Sequence, residues 1–413
     1  MLNSLREIPP TAGLPLRWRD FLPAGRRSFE TGLAALLRLP TVQTECSGTA
    51  ALIVILTALK QISLRRAVII PAYTCPLVVH AVRHCGLRPV LCDLRPGHFD
   101  LCPHMLARLC DDDTLAIIPT HLGGRVADLA DVLALAQVSG ARVIEDAAQA
   151  LGATWRGRPV GTIGDAGFYS LAVGKGLTLY EGGVLAARDE ALRSHVHATS
   201  GKIIPASLAW EGRRLLELLG YTILYRPLAL RLAYGMPLRR ALRHNRFIEA
   251  VGDDFPPGIP LHRVGLWRRA IGANALQRLP AFLETLATSA ALRKAQLHSI
   301  PGIEVMDDAL DGRGTWPFLM VLMPSAQARD AALAQLWPAG LGVSRLFIHA
   351  LPDYPDLASE FGNADVPNAR DFAARMLTIS NSPWMRVTDF ERVCTVLDES
   401  ARATGGAVRA TGD

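Results

Sequence analysis

Between residues 45 and 190, short runs of β-branched and other apolar side chains alternate with longer stretches of helical spacing. The runs fall at 67–70 (AVII), 88–92 (RPVLC), 115–119 (LAIIP), 142–144 (RVI), 166–170 (AGFYS) and 183–186 (GVLA). Helical stretches lie between them at 76–84, 103–109 and 127–137. Strand and helix alternating at this spacing predict βαβ units and an α/β fold with a mostly parallel sheet covered by helices. Ligands settle outside the carboxyl ends of such strands, so the polar residues after each apolar run are the first place to look for chemistry.

The pattern changes after residue 200. Residues 203–250 carry no strand signal and are rich in Leu and Arg. Residues 262–299 predict a long connecting helix bent near Pro280, because proline removes an intrahelical donor. Beyond it, 315–323, 326–336, 343–347 and 369–377 predict a smaller α+β domain, and the last dozen residues a loose tail. The expected organisation is a large domain over 1–200, a basic apolar helical insertion over 201–250, and a connecting helix with a small C-terminal domain over 251–413.

Composition narrows the class. With 413 residues, 50% apolar and 20% charged, the chain can bury a core and has room for two or three domains. Its 7 cysteines have no paired framework, and Cys85, Cys92, Cys102 and Cys110 lack the close spacing of a zinc site. A reducing compartment and no metal are expected. The opening residues lack the apolar core of a secretory leader, and the longest apolar run, 50–59, is too short to span a bilayer. The expected location is the cytoplasm.

The formal net charge is +6, but the excess of base is local. Arg213, Arg214, Arg226, Arg231, Arg239, Arg240, Arg243 and Arg246 stand in one segment against Glu211 and Glu217. General nucleic-acid binding therefore loses its support. Glu217, Arg226 and Arg231 exclude a spanning helix there. Leu, Tyr and Trp beside Arg fit two readings: a helical hairpin packed on the body or on a partner subunit, or an arm resting on an anionic membrane at its inner face.

Four local patterns carry chemistry. Ser47-Gly48-Thr49 opens an apolar helical run, where free backbone N–H groups attract an anion; an ordinary Ser/Thr cap reads equally from the residues. Pro71-Ala72-Tyr73-Thr74-Cys75-Pro76 is a loop at the end of a predicted strand, as is Glu145-Asp146-Ala147-Ala148-Gln149. Asp146 at such an edge can cap a helix, bind a metal or pair with a protonated ring nitrogen. Finally, Lys175 follows Ser170 by five residues, among Ala172, Val173, Gly174, Gly176 and Leu177. Apolar surroundings depress a lysine pKa when buried, which suits Schiff-base chemistry.

Taken in order, SGTAAL, PAYTCP, EDAAQALGA, GDAGFYSL with Lys175, and EGGVL resemble the DegT/StrS-type sugar aminotransferases, fold-type I pyridoxal-phosphate (PLP) enzymes. The NARDFAARMLTISNSPWM stretch is similar to the family's closing motif. The resemblance runs from about residue 8 to 397, interrupted by 203–250. It implies a large PLP-binding domain, a smaller C-terminal α+β domain, and a homodimer with sites at the subunit boundary. Lys175 would hold PLP as a Schiff base and move protons, and Asp146 would keep the pyridine nitrogen protonated. Gln149 would hydrogen-bond near the 3′-oxygen, while Gly48, Thr49 and Ser170 would hold the phosphate. The implied reaction moves an amino group, from glutamate as donor, to a keto-sugar that is nucleotide-linked.

Three departures qualify the match. Cys75 stands where the family stacks Phe or Trp on the ring, so that face is open or covered by another group such as Tyr73. Gly176 replaces the family's Asn after the lysine. Of an Asn-aromatic-Arg motif reaching the partner's phosphate, Leu261-His262-Arg263 keeps only Arg263. His121, Arg345, Phe347 and His349 are further substrate candidates, with a structural role for His121 equally open. Alternatives are a PLP-dependent lyase or dehydratase, or another PLP enzyme on a lipid-linked or non-sugar substrate, and a non-catalytic regulatory protein of the same fold. The dehydratase branch typically has His at the lysine position, and a silent copy would need neither Lys175 nor Asp146.

Overall fold

The computed structural model describes residues 6–23, 25, 28–253 and 258–409, with side chains as far as 403. Seven strands build the larger sheet: β1 (Gln43–Glu45), β2 (Ala67–Pro71), β3 (Arg88–Cys92), β4 (Thr114–Ile117), β5 (Arg142–Asp146), β6 (Ala166–Ser170) and β7 (Gly183–Ala187). Their order is β1-β7-β6-β5-β4-β2-β3. The pairs from β3 to β6 are parallel, while β7 runs antiparallel to both β6 and β1. All six predicted strands are present, shifted by a residue or two at their ends. β1 was not predicted, because its three residues, QTE, carry no apolar signal and pair only with β7 at the sheet edge.

Helix α1 (Gly48–Gln61) buries ten residues, so it is apolar all round rather than along one stripe. It begins at Ser47, whose hydroxyl accepts from Ala50 N–H at 3.0 Å. Helix α2 (Pro76–His84) starts on a proline, where the missing N–H has no helical partner to lose.

Residues 203–250 are helical, as expected. Helix α3 (Leu208–Leu224) buries Leu218, Tyr221 and Thr222, and further short helices continue to Val251. Ionic contacts tie this segment to the body. Arg268 is fully buried, and its guanidinium donates to the Glu211 carboxylate at 2.5 and 2.9 Å. Arg214 pairs with Glu181, and Arg239 with Glu7 at 2.7 Å.

The single bent helix expected over 262–299 is instead two, α4 (Leu266–Leu276) and α5 (Leu279–Leu297). Pro280 sits in the first turn of α5, so it starts a helix rather than bending one. The second sheet holds β8 (Glu304–Val305), β9 (Phe318–Leu322), β10 (Val343–Ser344) and β11 (Met376–Ser380) in the order β8-β9-β11-β10, all antiparallel. Only two residues of the 343–347 run extend as strand, and the remainder turns toward the large sheet.

Helix α6 (Pro367–Arg375) is capped from the other sheet. Asp93, just past β3, accepts from Asn368 N–H at 3.1 Å and Ala369 N–H at 2.8 Å. The last helix, α7 (Val387–Arg409), runs into the stretch expected as a loose tail; 410–413 lie outside the described residues.

Candidate active site

The carboxyl ends of β2, β5 and β6 converge with the start of α1 on a cavity of ≈ 430 Å³. Gly48, Thr49, Cys75, His121, Asp146, Gln149, Ser170, Lys175 and Phe347 all line it. Residues separated by up to about 300 positions thus meet because parallel strands place every carboxyl end on one edge.

Neighbouring carboxylates at the end of β5 have different tasks. Glu145 is fully buried and accepts from Gly161, Ile163 and Gly164 N–H at 2.6–2.7 Å, holding the loop that leads into β6. Asp146 instead lines the cavity, with one oxygen accepting from Ala148 N–H at 3.0 Å. Burial raises the Asp146 pKa, opposed by that N–H and by Lys175 and His121. A cationic N–H placed against it would restore the charged form.

Lys175 follows Gly174, whose φ of +81° belongs to the left-handed region. A side chain there would also press on Thr11 Oγ1, 2.7 Å from the site of a Cβ. Burial lowers the Lys175 pKa, with Cys75 and Asp146 opposing. Its amine is therefore more often neutral, and nucleophilic, than a surface lysine's.

At the other end, the first turn of α1 opens directly into the cavity. Gly48 has no side chain to cover its N–H, and a Cβ on it would stand 3.3 Å from Ser170 Cβ. Ser47 serves as the helix cap, while Thr49 and Ser170 bring hydroxyls to the wall. Gly183 is required behind this turn, because a Cβ there would overlap the Ser47 carbonyl. Bare helix N–H groups flanked by hydroxyls fit a phosphate. Gln149 Oε1 accepts from Gly123 N–H at 2.8 Å, which leaves the amide NH₂ to donate. A phosphate end, a ring-nitrogen partner and an amine in one cavity fit PLP.

Other candidates are placed differently. Tyr73 does not reach the cavity: its hydroxyl donates to the Phe347 carbonyl at 3.1 Å and its ring packs edge-on to Phe347 and Phe372. It cannot cover the ring face left by Cys75, whose own thiol is pushed up to about 12 by burial and stays protonated. His121 has both ring nitrogens engaged, Nε2 with Glu145 at 3.2 Å and Nδ1 with Ala127 N–H at 3.1 Å. Arg345 lines an adjoining cavity, and His349 packs on Tyr354 outside both. Arg263 lies apart, bonded to the Ile204 and Gly201 carbonyls at 3.1 and 3.5 Å. Within one chain it does not reach the Lys175 cavity.

Asp253 is a wall residue the sequence does not announce. It accepts from Tyr354 OH at 2.7 Å and Ile348 N–H at 3.0 Å, and burial raises its pKa to about 6. The only hint is an Asp pair closing a basic segment.

The sequence pattern of the DegT/DnrJ/EryC1/StrS aminotransferase family matches residues 23–205 and 267–398. The chain is 27% identical over 375 residues to the spore coat polysaccharide biosynthesis protein SpsC of Bacillus subtilis, covering 89% of this chain and 87% of that protein. It is 36% identical over 167 residues to a UDP-N-acetyl-3-dehydro-alpha-D-glucosamine 3-aminotransferase of Acidithiobacillus ferrooxidans, covering 40% and 45%. That second match spans under half of the relative's length. DesI, crystallised in the presence of its TDP-sugar product, has a similar fold, with a TM-score of 0.72, 23% identity and coverage of 99% and 100%.

Proposed function

We propose, from the premise that this chain belongs to the DegT/DnrJ/EryC1/StrS aminotransferase family, that it is a PLP-dependent aminotransferase. Its acceptor is a keto-sugar, and glutamate is the donor. Relatives whose names specify UDP- and TDP-sugars support a nucleotide-linked acceptor. The observation that carries the reading is one cavity walled by Lys175, Asp146 and the open first turn of α1.

When bound, PLP supplies an electron sink and a carrier for the amino group. Gly48, Thr49 and Ser170 would hold its phosphate, and Gln149 would donate to its ring oxygen. Asp146 would hold a proton on the ring nitrogen. Lys175 Nζ, with its lowered pKa, anchors the cofactor and takes up and returns the proton exchanged at the substrate carbon. Leu346 and Phe347 add apolar surface to the cavity wall.

The test is reconstitution with PLP. Borohydride should fix the cofactor on the Lys175 peptide, and glutamate should yield 2-oxoglutarate only with a keto-sugar nucleotide present. A protein that takes up no PLP, or that is labelled elsewhere, sinks the reading.

A homodimer follows from the family, and light scattering should report about twice 44.6 kDa. No described helix is long and apolar enough to cross a membrane. The cytoplasmic face of an anionic membrane remains the proposed contact of the 203–250 segment, on one specific observation. Leu208 and Leu216 on α3, and Leu228, Leu232 and Met236 in the helices after it, are 91, 70, 64, 66 and 56% exposed. Exposed Arg226, Arg240 and Arg243 stand beside them. Anionic but not neutral vesicles should co-sediment the protein, less so in salt. If vesicles are ignored and Leu216→Glu yields a monomer, these side chains form a subunit interface instead.

A further inference from the structure

We propose that residues 206–251 build a second, apolar-walled subsite beside Lys175, which receives an uncharged alkyl or acyl group carried by the sugar acceptor. The inference rests on the transamination reading and adds the substrate feature that this chain selects. The family pattern breaks off at residue 205 and resumes at 267, so the wall in question belongs to this chain rather than to the shared core.

The subsite is a cavity of ≈ 670 Å³. Gly220, Tyr221, Leu224, Tyr225, Leu230 and Tyr234 form one side of it. Gln149, Val173, Lys175, Val251 and Leu346 belong to its wall and to the wall of the cofactor cavity alike. A group attached to the reacting sugar can therefore extend from one space into the other.

The charges do not suit a diphosphate. Besides Lys175, the lining contains one cation and one carboxylate, Arg345 and Glu217. One Arg345 nitrogen donates to the Ile348 and Ala373 carbonyls at 2.6 and 2.9 Å, which leaves its buried Nε unpaired among the described residues, too little to hold a diphosphate. Glu217 is held by Arg213 at 3.0 Å and by Arg214 at 2.6 Å, and would repel a second anion. Aromatic and aliphatic surface instead favours a group that gains by leaving water.

Two stacked tyrosines of the lining set their hydroxyls side by side. The Tyr225 hydroxyl accepts from Gly13 N–H at 3.0 Å and donates to the Thr11 carbonyl at 3.2 Å. Tyr221, stacked on Tyr225 with centroids 4.7 Å apart, is only 9% exposed, and its hydroxyl interacts with that of Tyr225. A Cβ on Gly13 would stand 3.6 Å from the Tyr221 hydroxyl and 3.0 Å from the Lys175 carbonyl. The hydroxyl thus sits close to the lysine's own backbone, where a sugar or ester oxygen at the root of the apolar group can add a hydrogen bond.

The test titrates n-octyl β-D-glucoside, below its micellar concentration, and methyl β-D-glucoside into the PLP-loaded protein by calorimetry. The octyl compound should bind at least tenfold more tightly, with a negative heat-capacity change. Gly220→Leu fills the chamber without strain, since a Cβ there meets nothing within 4 Å and leucine favours helix. It should weaken octyl binding tenfold or more, and Tyr221→Phe should weaken it several-fold, both with the visible cofactor absorption unchanged. Equal binding of the two glucosides, or full octyl binding by Gly220→Leu, overturns the subsite. Loss of cofactor absorption in the unaltered protein would instead overturn the transamination reading, and the calorimetry would still decide the chamber.

Discussion

Lys175 and Asp146 share a wall and bias each other. The lysine's positive charge lowers the aspartate's pKa, and the aspartate's negative charge raises the lysine's, but burial outweighs both. Removing either should therefore harm catalysis more than folding. Lys175→Ala should cost about 10²–10⁴-fold in turnover or more, with far-ultraviolet circular dichroism unchanged; activity within tenfold of the unaltered protein would contradict the assignment. Asp146→Asn should lower kcat while PLP still binds, and unchanged kcat would exclude a role at the ring nitrogen. Asp253 gives a pH signature. Its folded pKa of about 6 lies above the ordinary 3.8. The folded state therefore holds a proton that the unfolded chain releases, and the stability this adds is present below about pH 4 and lost as pH rises through 6. Asp253→Asn does not titrate, so its Tm relative to the unaltered protein should climb between about pH 4 and 6 and level off above. A pH-independent difference would show that Asp253 is not perturbed.

At the scale of elements, the contact that matters most is α3 against α4. Arg268 on α4 is wholly buried and meets the Glu211 carboxylate on α3, while also donating to the Leu179 carbonyl at 3.3 Å. Such a pair adds little over apolar packing, yet removing one partner strands a buried charge. Glu211→Ala should accordingly destabilise by about 3–5 kcal/mol, measured by denaturant titration, whereas Glu249→Ala, whose partner Arg246 is half exposed, should change stability by under about 1 kcal/mol. Similar losses in the two variants would mean that α3 is not held through Arg268.

For the whole molecule, specific contacts join the large sheet to the second one. Asp93 lies beyond β3 of the large sheet and caps α6, whose chain continues into β11 of the small one. Losing a cap of this kind costs about 1–2 kcal/mol. Asp93→Ala should lower the thermal midpoint, because α6 leads directly into β11, the strand that pairs with β10 and β9. An unchanged midpoint would show that the cap carries no coupling. Arg263 acts at this scale as well. It is exposed, tied to carbonyls away from the Lys175 cavity, and does not reach its own site.

The alternation of apolar runs determined the parallel sheet, since a buried parallel strand must be apolar on both faces and leaves a continuous signal. Short motifs determined the site's members, because a bare helix start, a carboxylate at a strand end and a lysine among small apolar residues each have local chemical reasons. The polar edge strand β1 escaped notice for the converse reason, having one partner and no core face. Pro280 was legible as a break but not as a beginning, as the same missing N–H serves both. Tyr73 shows what local pattern cannot supply. Its loop was identified, yet only the packing of Phe347 and Phe372 decided that the ring turns into the core. Asp253 and the Tyr221 chamber lie further from sequence still. The Asp253 partners lie about a hundred residues away, and the electrostatics of a carboxylate or a hydroxyl are set by what surrounds it in space, not along the chain.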